Sequence, residues 1–307
     1  MIRPPTPADL PAIRRLWQEN RHSFLNCGPE DLPHLLGKPG AAVGVLPGED
    51  AGAWGFVAFD APALNAVLGS LSDGALRAAL IGRHLPSGAS AERLIGHTIA
   101  GLQATGHPFQ LTALSGESWL ERLLIGQGFA VADHLCFYLR TRRNLPEFIQ
   151  HPHLHPQMRP LRQDELSALI ALDRLTFPPL WQMGASELLE LIFSSRIQAA
   201  EVDGRLVGYM ALSLHTASDQ YDENQAQLIR LAVDPRLQGR GIGRQLLTES
   251  IAYAHAHDCY RILLNTPESN PAHQLYESIN FRRHGARMPV FIYQFPGQMV
   301  APLNGKP

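Results

Sequence analysis

An internal repeat constrains the fold of this chain more than any other feature of its sequence. Three short segments recur in the same order, and the residues that anchor the matches are Arg3 with Arg159, Gly55 with Gly208, and Phe129 with Phe281. The spacings within these pairs are 156, 153 and 152 residues. Because a fold present twice explains 307 residues without a second unrelated domain, we interpret the chain as a tandem duplication.

The boundary between the two halves is predicted in a proline-rich segment, residues 146–156. It contains His151-Pro152-His153-Leu154-His155-Pro156, where prolines and the lack of periodicity are typical of an extended linker. The predicted domains are therefore residues 1–145 and 157–307. Three alternate histidines without a neighbouring carboxylate or cysteine favour a plain linker over a metal site, so no metal is expected.

Composition excludes several classes of protein. A formal net charge of −2 supplies no general attraction to nucleic acid, and no apolar run is long enough to span a bilayer. The N-terminal residues lack the pattern of a secretory signal, so a cytoplasmic protein is expected. Cys27, Cys136 and Cys259 are odd in number and form no CxxC pair, which favours reduced thiols over disulfides or a zinc site.

Six residues, Gln238-Gly239-Arg240-Gly241-Ile242-Gly243, form a segment that we call the glycine loop. It lies between a strand-like run, residues 228–233, and a helix with apolar positions on one face. The first amides of a helix have no backbone partner, and glycines leave no Cβ between the backbone and an anion. The glycine loop therefore predicts a pyrophosphate site, to which Arg240 and Arg244 add charge unless they are simply solvated.

Two other phosphate-binding motifs do not fit the glycine loop. A P-loop needs Gly-Lys followed by Ser or Thr, which the segment lacks. The dinucleotide pattern needs glycine at position 244, where Arg244 stands. These mismatches argue against a nucleotidase or a dehydrogenase.

Together with a second segment, the glycine loop resembles the signature of the GNAT superfamily of N-acetyltransferases. The second segment is Asn270-Pro271-Ala272-His273-Gln274-Leu275-Tyr276-Glu277 followed by Ile279-Asn280-Phe281, with Asn280 where the family usually has glycine. The resemblance covers roughly residues 157–296 and implies an α/β (α+β) fold. Each half would have a mixed, mostly antiparallel central sheet flanked by helices, with one splayed pair of parallel strands.

The resemblance also implies the ligand and the roles of individual residues. Acetyl-CoA would lie in the splay of the sheet, along Leu231, Ala232 and Val233, with its pyrophosphate on Gln238, Gly239, Arg240, Gly241, Ile242, Gly243 and Arg244. Asn270 would bind the cofactor or cap the following helix. Tyr276 would give a proton to the departing thiolate after an amine attacks the thioester.

The general base is not defined by the sequence. Family members that use a glutamate have it at the position of Gln227, which cannot accept a proton in that role. Glu223, Asp222, His215 and Asp219 lie in the preceding polar segment, and any of them could act through water. Glu223 is our candidate, although an acceptor amine of low pKa would need no strong base.

The first half has a damaged counterpart of the glycine loop. A shift of 152 residues places Pro86 at Gln238, Ala89 at Gly241, Ala91 at Gly243 and Leu124 at Tyr276. A Cβ at Ala89 and a missing amide at Pro86 argue against phosphate binding there. The first half is thus predicted to be degenerate, a layout similar to tandem family members such as mycothiol synthase, which pair one competent domain with a degenerate or nonproductive one.

These observations predict an acetyl-CoA-dependent N-acetyltransferase whose active site lies in the second half. The expected acceptor is a primary amine of a small molecule or a peptide, without membrane or nucleic-acid partners. A noncatalytic acyl-CoA-binding sensor or assembly module is the alternative, which Gln227 favours. A tandem aminoacyl-tRNA-dependent transferase is a third possibility, against which the balanced charge argues.

Overall fold

The structure is a computed structural model that describes residues 1–19, 23–25, 30–46, 52–60, 72–82, 87–146, 156–217 and 223–296. Most of the predicted linker lies outside these ranges, as do Cys27, Pro86, Asp219 and Asp222. Among the described residues, no helix is both long and apolar enough to cross a membrane.

Strands and helices alternate along the whole chain. The strands are β1 Ile2–Arg3, β2 Ser23–Leu25, β3 Ala41–Val45, β4 Ala53–Asp60, β5 Ser72–Ile81, β6 Phe109–Leu114, β7 Ala130–Arg140, β8 Gln157–Pro160, β9 Arg196–Val202, β10 Arg205–His215, β11 Gln225–Val233, β12 Arg261–Pro267, β13 Arg282–Arg283 and β14 Met288–Phe295. The helices are α1 Leu10–Glu19, α2 Leu32–Leu35, α3 Ser87–Gln103, α4 Ser118–Gly126, α5 Leu166–Thr176, α6 Ala185–Ser194, α7 Ile242–Ala256 and α8 His273–Ser278.

The chain folds into two units that do not coincide with its two halves. Unit 1 is Met1–His134 together with the segment from Met288 onward, and unit 2 is Leu135–Arg287. The predicted boundaries at residues 145 and 157 do not match the boundaries of the units, because residues 135–140 of β7 belong to unit 2 and β14 belongs to unit 1. Residues 288–295, expected in the domain of the second half, belong to unit 1.

Each unit contains a mixed sheet of the same design. In unit 1 the strand order is β1-β3-β4-β5-β6-β14, and β5 and β6 form its parallel pair among the described strands. In unit 2 the order is β8-β9-β10-β11-β12-β7, with β11 parallel to β12. Helices α7 and α8 pack on one face of the unit 2 sheet, and α5 and α6 pack on the other. These arrangements confirm the predicted fold class.

The sixth strand of each sheet comes from the other half of the sequence. β14 pairs antiparallel with β6 in unit 1, where Val290 is opposite Leu114. β7 pairs antiparallel with β12 in unit 2, where Leu139 is opposite Leu263. Each half therefore donates its late strand to the unit built mainly from the other half.

Contacts inside the two units repeat with the spacing seen in the sequence. A Cβ on Gly55 would lie 3.0 Å from Leu94 of α3, and a Cβ on Gly208 would lie 3.2 Å from Leu246 of α7. In both units glycine lets the long helix approach the sheet closely.

The strand-to-helix junctions repeat as well. Arg3 binds Asp9 at 2.7 Å, and Arg159 binds Glu165 at 2.6 Å. Residues that match in sequence therefore also make matching contacts, which supports the duplication.

Candidate active site

The glycine loop adopts a backbone that side chains rarely allow. Gly239 and Gly241 have φ angles of +74° and +84°, in the left-handed region, and α7 begins directly afterwards at Ile242. Gly241 occupies the N-cap position, so no side chain satisfies the first amides of α7. The Gln238 side chain donates from Nε2 to the carbonyl oxygen of Val233 at 3.0 Å, which ties the loop to the end of β11.

A cavity of about 620 Å³ opens against the glycine loop, and we call it the cleft cavity. Leu231 and Val233 of β11 line it on one side, and Asn270 and Leu275 line it on the other. Gly239, Gly241 and Gly243 also lie on its surface, as do Phe177, Pro178 and Trp181 from the segment between α5 and α6. The structure thus brings together most of the residues predicted to bind the cofactor.

A β-bulge opens the sheet beside this cavity. Ala211 pairs with Arg230 and Leu212 pairs with Leu228, so Ile229 is an extra residue in β11. β11 and β12 pair only from Gln225 to Leu228, and the two strands separate after that point. Because a bulge bends its strand, it explains the predicted splay of the parallel pair.

A buried carboxylate fixes the bulge to α5. Asp173 is 0% exposed and accepts hydrogen bonds from the Tyr209 hydroxyl at 2.6 Å and from Nε and Nη2 of Arg230 at 2.8 Å. Arg230 also donates to the Trp181 carbonyl oxygen at 2.7 Å and lies over the Phe177 ring. Burial raises the pKa of Tyr209 well above its usual range, so its hydroxyl stays protonated as a donor. The network positions Phe177 and Trp181, which we call the aromatic wall of the cleft cavity.

The charged groups near the glycine loop differ in their surroundings. Arg244 donates from Nη1 to Ser278 Oγ at 2.9 Å, whereas its buried Nε has no partner among the described residues. Arg240 is exposed to solvent. Asn270 bonds Thr266 and accepts from the Ala272 amide at 3.0 Å, so it supports the entry to α8 while also facing the cleft cavity.

Tyr276 is a residue of α8, and its side chain packs into the core of unit 2. It is 4% exposed, and its ring centroid is 6.1 Å from those of Tyr138 and Phe281. Burial, and then the neighbouring Tyr138 hydroxyl, raise its pKa above the usual range. Its hydroxyl makes no hydrogen bond with any described group, and Tyr276 is absent from the described lining of the cleft cavity, where the adjacent Leu275 lies.

Of the polar residues considered as general bases, Glu223 precedes β11 and His215 ends β10, whereas Asp219 and Asp222 lie outside the described residues. Glu223 is 64% exposed and lies 3.7 Å from Arg261. A strand rises about 3.3 Å per residue, so Glu223 is roughly 20 Å or more from Leu231 along β11. His215 and Gln227 line a second cavity of about 430 Å³, the strand cavity, together with Asn265 and Tyr138.

The corresponding positions in unit 1 differ from those in unit 2. Ala89 lies in the first turn of α3, which begins at Ser87, whereas its counterpart Gly241 lies before α7 with a left-handed backbone. Ala91 and Leu124 are buried in the core formed by α3 and α4.

Sequence reasoning missed the bulge at Ile229, the Asp173 network and the aromatic wall. The wall had a signal in the run Phe177-Pro178-Pro179-Leu180-Trp181, in which aromatics and prolines stand between two helices. A buried Asp paired with an Arg 57 residues later has no local signal.

Comparison with known proteins supports the family resemblance. The model of the acetyltransferase (GNAT) family matches residues 166–281. N-acetylaspartate synthetase of Homo sapiens is 35% identical over 88 residues, and mycothiol acetyltransferase of Acidothermus cellulolyticus is 33% identical over 96 residues. Each match covers 28% of this chain, and 28% and 29% of those two proteins, respectively.

Solved structures resemble the fold over nearly the whole chain. A GCN5-related N-acetyltransferase from Sphaerobacter thermophilus matches 96% of this chain and 95% of its own, with a TM-score of 0.62 and 17% identity. A tandem GNAT protein from the clavulanic acid biosynthesis pathway matches 96% of this chain and 98% of its own, with a TM-score of 0.60 and 12% identity. The fold, the glycine loop and the family match agree: residues 166–281 match the model of the acetyltransferase (GNAT) family, and the fold is similar to that of solved GCN5-related N-acetyltransferases.

Proposed function

We propose that the protein is an acetyl-CoA-dependent N-acetyltransferase that acts on a primary amine and has its active site in unit 2. The observation that carries this proposal is the left-handed pair Gly239 and Gly241, which opens the start of α7 onto the cleft cavity. The names of the relatives, N-acetylaspartate synthetase and mycothiol acetyltransferase, support acetyl transfer as the reaction.

The residues around the cleft cavity fit acetyl-CoA. The first amides of α7 and the partnerless Nε of Arg244 are donors for the pyrophosphate, and Arg240 adds positive charge at the surface. Past Leu228, no described strand pairs with the β12 side of β11, so backbone groups of Leu231, Ala232 and Val233 are available for an amide-containing chain. Asn270 lies on the opposite wall. When bound, acetyl-CoA supplies a thioester whose carbonyl carbon an amine attacks directly.

Tyr276 is our candidate for the group that protonates the leaving thiolate. A phenol is protonated at neutral pH even at its usual pKa, and burial raises the pKa of Tyr276 further, so the O–H is present as a proton donor although its acidity is reduced. Its hydroxyl is not engaged by any described residue, which leaves the O–H available for a ligand atom.

Glu223 remains our candidate for a general base, acting only through intervening water. Its exposure and its distance along β11 exclude direct contact with an amine near Leu231. We therefore expect Glu223→Gln to lower kcat/KM by less than about threefold, because a remote solvated base contributes little. A loss of about 100-fold with a shifted pH profile would establish Glu223 as the essential base.

In unit 1 we propose that the fold remains without catalysis. Ala89 is a residue of helix α3, whereas the corresponding Gly241 of unit 2 has a left-handed backbone. Ala89→Glu should therefore leave turnover unchanged, and a large loss would overturn this assignment.

Binding of acetyl-CoA to a glycine-loop variant tests the central claim. Gly241→Glu places a carboxylate and a Cβ at the proposed pyrophosphate site, and calorimetry should detect no binding. Gly204→Glu is the matched control, since Gly204 has φ +73° in the turn between β9 and β10 with nothing within 4 Å of an added Cβ. The control should bind like the wild type. If the wild-type protein does not bind acetyl-CoA, the proposed function is wrong.

A noncatalytic acyl-CoA sensor is the second candidate function. Gln227 favours it, because this side chain on the wall of the strand cavity cannot accept a proton as a base. Release of CoA from acetyl-CoA in the presence of a panel of amines separates an enzyme from a sensor.

A further inference from the structure

Two cavities adjoin on one face of the unit 2 sheet. The strand cavity contains Asn265, at the point where β11 and β12 separate, and it extends to His284. A third cavity of about 200 Å³, which we call the arginine cavity, is lined by Arg142, Arg282, Arg283 and the same His284. A molecule that reaches the splay through the strand cavity therefore has the arginine cavity beside it.

Strand register shows that the two cavities share a face. Leu139 pairs with Leu263 of β12 and with Arg282 of β13, and directly paired residues point to the same side of a sheet. Phe137 pairs with Asn265 in the same way. Arg282 therefore lies on the same side of the sheet as Asn265.

Two arginines of the arginine cavity have no carboxylate partner among the described residues. No carboxylate is among the described residues that line either cavity, and Arg142 and Arg282 form no ion pair with any described residue. Arg283 is held by Nε donation to the Tyr138 hydroxyl at 3.2 Å and lies 3.9 Å from Glu268.

The backbone orients one of these arginines. Arg282 donates from Nη1 to the carbonyl oxygens of Glu277 and Phe281 at 3.3 and 3.2 Å. Its Nη2 and Nε have no described hydrogen-bond partner, which leaves a planar pair of donors that matches a carboxylate or a phosphate.

We propose that Arg142 and Arg282, with His284 beside them, bind an anionic group on the acceptor, either a carboxylate or a phosphate. The inference rests on the proposed function and specifies its substrate class. The acceptor is an amine that also carries an anion, not a simple alkylamine.

Sheet geometry sets the separation between the two groups. β13 is two strands away from β12, and neighbouring strands are about 4.8 Å apart, so the anion lies roughly 10 Å from an amine at the splay. A free amino acid is too short for this span. Three extended peptide residues cover about 10 Å, so a short peptide with a free N-terminus and C-terminus is a suitable probe.

The test compares two peptide acceptors that differ only in the terminal anion, together with an aminoalkyl phosphate of similar length. Triglycine, triglycinamide and 6-aminohexyl phosphate are offered with acetyl-CoA, and kcat and KM are measured for each. We expect triglycine to have a KM at least tenfold below that of triglycinamide, as loss of a charge-assisted hydrogen bond predicts. A KM for the aminoalkyl phosphate below that of triglycine would assign the site to phosphate, and the reverse would assign it to carboxylate.

Matched variants test whether Arg142 and Arg282 cause the difference in KM between triglycine and triglycinamide. Arg142→Gln and Arg282→Gln should each raise the KM for triglycine about tenfold, with little change in kcat, in the KM for triglycinamide or in the KM for acetyl-CoA. Arg205→Gln, an exposed arginine of β10 without a described ion pair, should change none of these values.

Direct binding separates failure of this inference from failure of the proposed function. Binding of triglycine and triglycinamide is followed by NMR without acetyl-CoA, and binding of acetyl-CoA is measured by calorimetry. If acetyl-CoA binds while triglycine and 6-aminohexyl phosphate bind no better than triglycinamide, the anion site is wrong and the proposed function stands. If acetyl-CoA does not bind but triglycine binding depends on Arg282, the anion site stands and the proposed function fails.

Discussion

At the scale of single residues, the three glycines of the glycine loop have different physical roles. Gly239 and Gly241 provide left-handed backbone, which costs other residues about 1 to 2 kcal/mol. Gly243 is already helical, and an added Cβ would meet Leu275 at 3.4 Å and Val233 at 3.6 Å, which are ordinary contacts. Only the first two are therefore required for the backbone of the loop.

Two alanine variants should separate these roles. We expect Gly241→Ala to lower the free energy of unfolding by about 1 to 2 kcal/mol, and Gly243→Ala to leave it unchanged or raise it, because alanine favours helix. Urea denaturation measures both. Equal destabilisation by the two variants would contradict this account.

Tyr276 provides a prediction about the reaction. Removing its hydroxyl should lower kcat by about 100-fold or more, as expected for loss of a general acid, and should change the KM for acetyl-CoA by less than about threefold. Tyr276→Phe keeps the ring that packs against Tyr138 and Phe281, so stability should change little. Tyr253→Phe on α7 is the control, and kcat and the KM for acetyl-CoA are measured for both variants by steady-state kinetics. An unchanged kcat in Tyr276→Phe would assign the tyrosine to the core alone.

At the scale of elements, ion pairs hold each first strand to the helix that follows. Glu165 accepts hydrogen bonds from Arg159 at 2.6 and 2.7 Å and from the Arg162 amide at 2.9 Å. Hydrogen bonding by Arg159 lowers the pKa of Glu165 from 4.5 to about 2. Asp9 in unit 1 has its pKa lowered to about 2 by Arg3 in the same way.

This pair gives the protein a defined acid sensitivity. A carboxylate with a lowered folded-state pKa stabilises fully above its unfolded value, 4.5, and that contribution is lost as pH falls toward 2. Glu165→Gln should therefore lower the urea midpoint at pH 7 and flatten its fall between pH 4.5 and 2. Glu190→Gln, on the exposed side of α6, should follow the wild-type curve. A Glu165→Gln curve parallel to the wild type would mean that the ion pair contributes no pH dependence.

Local features of the fold could be predicted from the sequence, whereas the pairing of particular strands with one another could not. Asp-Gly is typical of a two-residue hairpin turn and asparagine suits a left-handed position after a helix, and Asp203, Gly204 and Asn280 all have positive φ angles. The glycine loop depends on six consecutive residues and was predicted at the correct junction. The bulge at Ile229 follows from pairing with β10, which no local pattern encodes. β7 and β14 have the composition of ordinary strands, and nothing in that composition specifies the sheet that each one joins.

At the scale of the whole molecule, the exchanged strands predict which fragments fold. Residues 157–307 contain the glycine loop but lack β7, so the β12 edge that β7 covers from Leu135 to Arg140 would be unpaired. We expect this fragment to unfold without cooperativity or to aggregate. Residues 130–287 contain β7 and should show a cooperative urea transition followed by circular dichroism. The opposite ranking of the two fragments would contradict the assignment of β7 to unit 2.

A buried arginine accompanies the exchanged strand. Arg140, at the end of β7, is 0% exposed and donates to the backbone carbonyl oxygens of Ile279, Arg142 and Asn144. Burial lowers its pKa, and no carboxylate of the described residues pairs with it. The cost of burying this charge is offset by the three carbonyl acceptors, of which that of Ile279, directly after α8, is within reach only when β7 joins the unit 2 sheet.

The exchange also sets the order in which the protein can be completed during synthesis. The ribosome releases the N-terminal residues first, but the strand that pairs with β6 is made only at Met288–Phe295, after the whole of unit 2. Unit 1 therefore waits for its last strand while unit 2, which needs nothing beyond Arg287, is already complete in sequence. The half made first is thus the last to finish folding, and its edge at β6 is open to other chains throughout that interval.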